Sequence, residues 1–223
     1  MPKLTTAELQ IFNQPDLPDL PGRREIGGEA VWSLSTAKPG NGVDQLRDGS
    51  VDTYWQSDGT QPHLINVQFH KKMAVVDVAL YLDYKLDESY TPKMMRIRSG
   101  TTVHDLEEVH TLELEEPCGW VVVPLGAPKD DQAAKDAAAA AVPGQPAPAP
   151  RGAIRTHFLQ CEILSMHQNG RDTHVRQVKV FGPRQVSAHA GAAASGGWQG
   201  ARHGLRALPE FTTIEFSQFS CVR

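Results

Sequence analysis

The chain has 223 residues, a formal charge of −4 and an apolar fraction of 40 %. That length suits one substantial domain with appendages, and the apolar share supports a packed core, which excludes disorder along the whole chain. With no dense Lys/Arg cluster to attract phosphates, nothing in the charge balance calls for nucleic acid.

The opening segment, "MPKLTTAELQIFNQPDLPDLPGRRE", lacks the apolar core of a signal peptide. No window approaches the roughly 18 apolar residues of a membrane span. Residues 1–22, rich in Pro and Asp, are read as a flexible or weakly helical lead. The main domain is expected over residues 23–183. Within it "GVDQLRDG", Gly42–Gly49, reads as a short helical turn. Period-2 alternation then dominates, the pattern of strands with one face in a core. In "LINVQF", Ile65, Val67 and Phe69 alternate with Asn66 and Gln68; in "VVDVALYL", Val76, Val78, Leu80 and Leu82 oppose Val75, Asp77, Ala79 and Tyr81. Further strands are expected at Met94–Ser99, Val109–Leu114, Trp120–Leu125, His157–Leu164 and Val175–Phe181. So many short strands without interleaved long helices predict an all-β sandwich or jelly roll.

Two low-complexity stretches interrupt or follow this pattern. "GAPKDDQAAKDAAAAAVPGQPAPAPRG", 126–152, has too little apolar bulk to join a core and reads as an insert between two strands. Loop closure entropy grows only logarithmically, so such an insert costs little stability. Residues 184–223 read as a flexible spacer with an apolar tail. The three cysteines, Cys118, Cys161 and Cys221, are odd in number and far apart, which favours a reducing compartment over a disulfide framework.

Candidate chemistry concentrates in loops. Trp55 in "DTYWQSDG" is expected to be a buried anchor rather than a sugar-stacking platform. Asp172 and His174 suggest an acid–base pair, but Ser165 is the sole nearby nucleophile and no G-x-S-x-G elbow presents it, so catalysis is not expected. His157, Cys161, His167 and His174 lack the paired spacing of a zinc site, and Cys161 is expected in the core. No cofactor is expected; "LRDGSVD" offers oxygens for a structural calcium, with nothing to fix their number. The informative stretches are "DYKLDESYTPK", Asp83–Lys93, and "HQNGRDTH", His167–His174. In a sandwich, loops at one end converge on one surface. Should these two do so, Ser89, Tyr90, Arg171, Asp172 and His174 form one pocket. Gly170, after Asn169 in a tight turn, would let backbone approach a ligand closely.

Taken with "REIGGEAVWSLSTAKPGNGVDQLRDGSVDTYWQSDGTQPHLINVQF" and "GW…VPL", these motifs resemble the Doc-domain family of the anaphase-promoting complex. The match covers about residues 23–125 and 153–183 plus the extreme C-terminus. The resemblance implies a galactose-binding-domain-like jelly roll that does not itself catalyse, working in the nucleus and cytoplasm within a cullin-RING ubiquitin ligase. It implies a co-receptor for destruction-box degrons, acting with a WD40 coactivator. By motif position the degron-binding residues would be Ser89, Tyr90, Gln168, Asn169, Gly170, Arg171, Asp172 and His174. Val222 and Arg223 stand where the family's C-terminal Ile-Arg docks on a tetratricopeptide-repeat subunit. Valine there is one methylene shorter, a loss of about 0.8 kcal/mol if fully buried. A carbohydrate-binding module on the same fold is the alternative.

Overall fold

The computed structural model describes residues 3–126 and 152–184. In chain order the elements are β1 (Lys3–Thr5), β2 (Gln10–Phe12), β3 (Arg23–Glu25), β4 (Ala30–Leu34), α1 (Val43–Arg47), β5 (Trp55–Gln56), β6 (His63–Val75), β7 (Asp77–Asp83), α2 (Tyr84–Asp87), β8 (Pro92–Gly100), β9 (Glu107–Glu113), β10 (Cys118–Pro124), β11 (Ile154–Met166), β12 (His174–Val175) and β13 (Gln177–Pro183). One sheet runs β1-β9-β8-β11-β6-β4 and the other β2-β10-β7-β13-β3, while β5 and β12 form a short ribbon. The neighbours are antiparallel except β1, which lies parallel to β9. The all-β jelly-roll expectation is met.

Alternation in the sequence becomes packing. Ile65, Val67 and Phe69 of β6, Leu159, Cys161 and Ile163 of β11, and Val78, Leu80 and Leu82 of β7 fill the space between the sheets. The opposite face of β7 is also apolar: Ala79 and Tyr81 join Trp120, Val122 and Phe181 in a second cluster on the outside of the smaller sheet. A strand buried on both faces is what the two-sided pattern at 76–82 predicts, although β7 itself starts at Asp77. Trp55 is fully buried and its indole N–H donates to the Thr36 carbonyl at 2.9 Å. Burial pushes the Cys161 thiol up to about 12, so it behaves as a small core hydrophobe. The helical turn stands at Val43–Arg47, anchored by fully buried Leu46.

The lead at 1–22 is corrected. β1 adds to the edge of the larger sheet at β9, and β2 adds to the edge of the smaller one at β10. Between and after them Leu9 and Leu20 are buried, and the Trp120 indole N–H donates to the Pro15 carbonyl at 2.8 Å. Gly119, at φ +114, allows this approach: a Cβ there would stand 2.3 Å from the Phe12 carbonyl oxygen. Residues 3–20 are thus a strap that closes one side of the sandwich, and β3 and β4 close the other in the same manner, one strand per sheet. Three-residue strands are too short for periodicity to reveal them.

Register also places the low-complexity insert. β10 ends with Pro124 opposite Asp77, and β11 begins with Ile154 opposite Val75. The backbones of Gly126 and Gly152 lie against each other there. The loops after β7 and β11 are at the other pole, a strand length away: 13 residues of β11 at about 3.3 Å each span roughly 40 Å. Residues 127–151, the spacer after 184, Cys221, and the tail residues Val222 and Arg223 lie outside the described residues.

Candidate functional site

At the pole away from Gly126 and Gly152, three loops meet: 57–62 before β6, 84–91 between β7 and β8, and 167–173 between β11 and β12. Backbone bonds sew them together. The His167 N–H donates to the Thr91 carbonyl at 2.9 Å and the Ser57 N–H to the Thr173 carbonyl at 3.1 Å. Side chains add to this: Gln61 Nε2 donates to the Gly170 carbonyl at 3.0 Å, the Thr173 hydroxyl to the Tyr90 carbonyl at 3.2 Å, and Gln168 Nε2 to the Tyr84 hydroxyl at 3.2 Å. His63 is fully buried, and its Nε2–H donates to the Arg171 carbonyl at 2.8 Å. The two loops singled out in the sequence are therefore one surface, with Tyr90 and Arg171 on the same rim.

The turn differs in detail from the Asn-Gly expectation. Gln168 and Asn169 are the left-handed pair, at φ +51 and +56, while Gly170 is extended. What requires glycine at 170 is proximity, since a Cβ would fall 1.8 Å from the Ser89 carbonyl oxygen. Its bareness is what the seam between the two loops requires. Glu88, Glu116, Gln168 and Asn169 are the non-glycine residues with positive φ among the described residues. All four stand in turns at this pole, a conformation retained where surrounding structure overdetermines it.

The predicted residues divide by exposure. Gln168, Asn169 and Arg171 are exposed, Tyr90 is 38 % exposed, and Ser89, Gly170 and Asp172 are half-buried. Asp172 keeps Oδ1 without a hydrogen-bond partner among the described residues. His174 is different, because it is buried. Its ring is stacked between Tyr54 and Tyr90, each centroid 4.2 Å away, and its Nδ1–H donates to Asp87 Oδ1 at 3.0 Å. Its acidic partner is thus Asp87 on loop 84–91 rather than Asp172, which dissolves the acid–base pair imagined from the sequence. Arg176 forks onto the same carboxylate, Nε to Oδ2 and Nη2 to Oδ1 at 2.8 Å each, and its Nη1 donates to the Val51 carbonyl at 2.8 Å.

Burial alone would raise the Asp87 pKa, but the bonds from His174 and Arg176, with the charge of Arg176, together hold the carboxyl below its ordinary value. A depressed folded-state pKa stabilises the fold fully above the ordinary value near 3.9, and that contribution is lost as pH falls through the folded-state value. Chemical denaturation of wild type and Asp87→Asn across pH 2–7 should therefore give a gap at neutral pH that closes in strong acid. A gap independent of pH would show that the charge is not the stabilising element. Burial, with Lys93 close by, lowers the His167 pKa, so that imidazole is neutral at neutral pH.

The calcium option at 46–52 meets a competitor. Gln177 Nε2 donates to Ser50 O, Asp48 Oδ1 and Gln45 O at 2.7, 2.8 and 3.0 Å. The oxygens that would surround a cation already converge on an amide nitrogen. Among the described residues no group of three or more His, Cys, Asp or Glu is arranged to hold a metal. Sequence reading did not single out Tyr54, Tyr84, Asp87 or Arg176, because each looks like an ordinary polar or aromatic neighbour until strand pairing brings them together.

Two stacked antiparallel sheets carrying polar loops at one pole define a galactose-binding-like jelly roll. The CBM32-1 and CBM32-2 domains of Clostridium perfringens ZmpB share this fold at TM-score 0.54 and 11 % identity, over 72 % of this chain and 36 % of that one. The family 32 module of C. perfringens NanJ, solved with galactose, superposes at TM-score 0.52 and 12 % identity over 71 % of this chain and 98 % of that one. The family itself is settled by closer relatives. Residues 12–202 match the family described as anaphase-promoting complex, subunit 10 (APC10). Anaphase-promoting complex subunit 10 of Homo sapiens is 43 % identical over 90 % of this chain and 88 % of that one, and its Drosophila melanogaster counterpart 42 % over 90 % and 85 %. Subunit DOC1 of Saccharomyces cerevisiae is 32 % identical over 69 % of this chain and 54 % of its own. The chain belongs to the anaphase-promoting complex subunit 10 family.

Proposed function

We propose that this chain is a non-catalytic subunit of the anaphase-promoting complex, working in nucleus and cytoplasm, and that its loop-bearing pole is one half of a receptor for destruction-box degrons. The observation that carries the reading is the junction of loops 84–91 and 167–173 into one rigid, polar rim with a half-exposed tyrosine. An extended peptide offers amides, carbonyls and charged side chains at short intervals. Arg171 can fork onto a carboxylate or carbonyl, and Tyr90 supplies apolar area with a polar tip. Exposed contacts of this kind are worth about 1 kcal/mol each, so the rim alone binds weakly.

Weakness is suited to sharing. Where a WD40 coactivator holds the other half of the degron, the second contact becomes intramolecular, and effective concentrations near the millimolar range multiply the two affinities. Substrates then stay longer and gain more ubiquitins per encounter. The C-terminal Val222-Arg223 supplies the anchor to a tetratricopeptide-repeat subunit, with the cullin and scaffold subunits as further neighbours. The test is a ligase reconstituted with Asn169→Ala/Arg171→Ala. Processive ubiquitination of destruction-box substrates should fall several-fold while the complex assembles normally. Unchanged processivity would remove the receptor role from this rim.

A further inference from the structure

We infer that Asp87, Arg176, His174 and Tyr54 form a positioning element for the receptor rim, with His174 acting through Tyr90 rather than on the bound peptide. This rests on the co-receptor reading above and adds to it residues that touch no ligand.

The geometry of His174 leaves it little else to do. The ring is 9 % exposed, both faces are covered by tyrosines, and its Nδ1–H is committed to Asp87. Tyr90 is the outer member of the stack, with one face on the imidazole and 38 % of its surface open. Its orientation is therefore set from beneath. A rigid aromatic presented in this way binds without first losing side-chain freedom.

Beneath the stack the Asp87–Arg176 pair ties three segments together. Asp87 belongs to loop 84–91, which also carries Ser89 and Tyr90. His174, in β12, and Arg176, between β12 and β13, follow loop 167–173, which carries Asn169, Arg171 and Asp172. Arg176 reaches onward to the Val51 carbonyl, and its guanidinium carbon is 5.5 Å from the ring centre of Tyr54. Asp87 and Arg176 are both about nine-tenths buried or more, at 6 % exposure each. Removing Asp87 or Arg176 strands the other in a medium that penalises unpaired charge, so the three segments hold or release one another together. Lysine cannot reproduce the arrangement, because three guanidinium nitrogens are used in fixed directions.

Full-chain variants in the reconstituted complex separate this role from direct contact and from general stability. A fluorescent destruction-box peptide, with coactivator present, reports dissociation; amide hydrogen exchange reports order in 84–91 and in the sheets. Arg176→Lys and Asp87→Asn should each speed peptide dissociation about tenfold, a koff effect, with exchange in 84–91 accelerated well beyond the change in β7 and β11 that the lower global stability brings. His174→Phe keeps a ring between the two tyrosines and should retain most of the residence time, whereas His174→Ala should lose it. Equal damage from Phe and Ala would overturn the indirect role of His174. Faster dissociation with unchanged exchange in 84–91 would overturn positioning by the buried charges. Acceleration in β7 and β11 equal to that in 84–91 would also overturn it, by reducing the cluster to a fold determinant. Asn169→Ala/Arg171→Ala is the reference: if that exposed pair leaves dissociation unchanged, the co-receptor reading itself is what has failed.

Discussion

Deleting residues 1–21 should remove a large part of the stability of the sandwich and expose it to self-association. The truncation strips β1 from β9 and β2 from β10, unpairing two sheet edges on the same side. It also uncovers the sites of Leu9 and Leu20 and leaves the Trp120 indole N–H without its Pro15 acceptor. Each leucine contributes about 1.5–3 kcal/mol by burial, so the pair is worth roughly 3–6 kcal/mol. A domain of this kind has about 5–15 kcal/mol in total. Urea denaturation should show a much lower midpoint, and light scattering should show oligomers formed through the bared strands. A truncated protein that stays monomeric with an unshifted midpoint would mean that the strap decorates the fold rather than closing it.

Gly170→Ala should damage the rim far more than the core. A methyl at this position would fall 1.8 Å from the Ser89 carbonyl oxygen, so one of the two loops has to move. Overpacking costs about 1–3 kcal/mol, and it is relieved where the structure gives most easily, in loops 84–91 and 167–173 rather than in the sheets between them. Destruction-box peptide residence in the assembled ligase should drop about tenfold, with the thermal midpoint lowered by only a few degrees, roughly what about 1 kcal/mol produces in a domain this large. Wild-type residence in Gly170→Ala would show that the seam between the loops is not needed for recognition. A collapse of the midpoint would show that it belongs to the core.

How far the sequence could be read follows from the range of each signal. The central strands were legible because alternation over six or more residues has one physical explanation, a pleated surface packed against another. Trp55 and Cys161 were legible because such side chains are rarely left in water. β1, β2 and β3 were not, since three residues carry no period and their partners lie far along the chain. The shared rim followed from loop placement, but its buried support did not. Asp87 sits 89 residues from Arg176, and in a stretch of polar neighbours nothing local distinguishes a carboxylate in a buried fork from one in solvent. His174 was visible as a loop residue and misread as a surface one, because the rings that enclose it come from two other segments. The turn was placed one residue late for a related reason: glycine at 170 answers to a neighbouring loop, not to its own dihedral angle.

The attachment of the low-complexity segment has a practical side. Its two roots, Gly126 and Gly152, touch each other about one strand length from loops 84–91 and 167–173. To the rest of the fold, the chain between them is a side branch whose size is thermodynamically almost free. Splicing a fluorescent reporter or an affinity handle between those roots would attach it at the pole opposite loops 84–91 and 167–173.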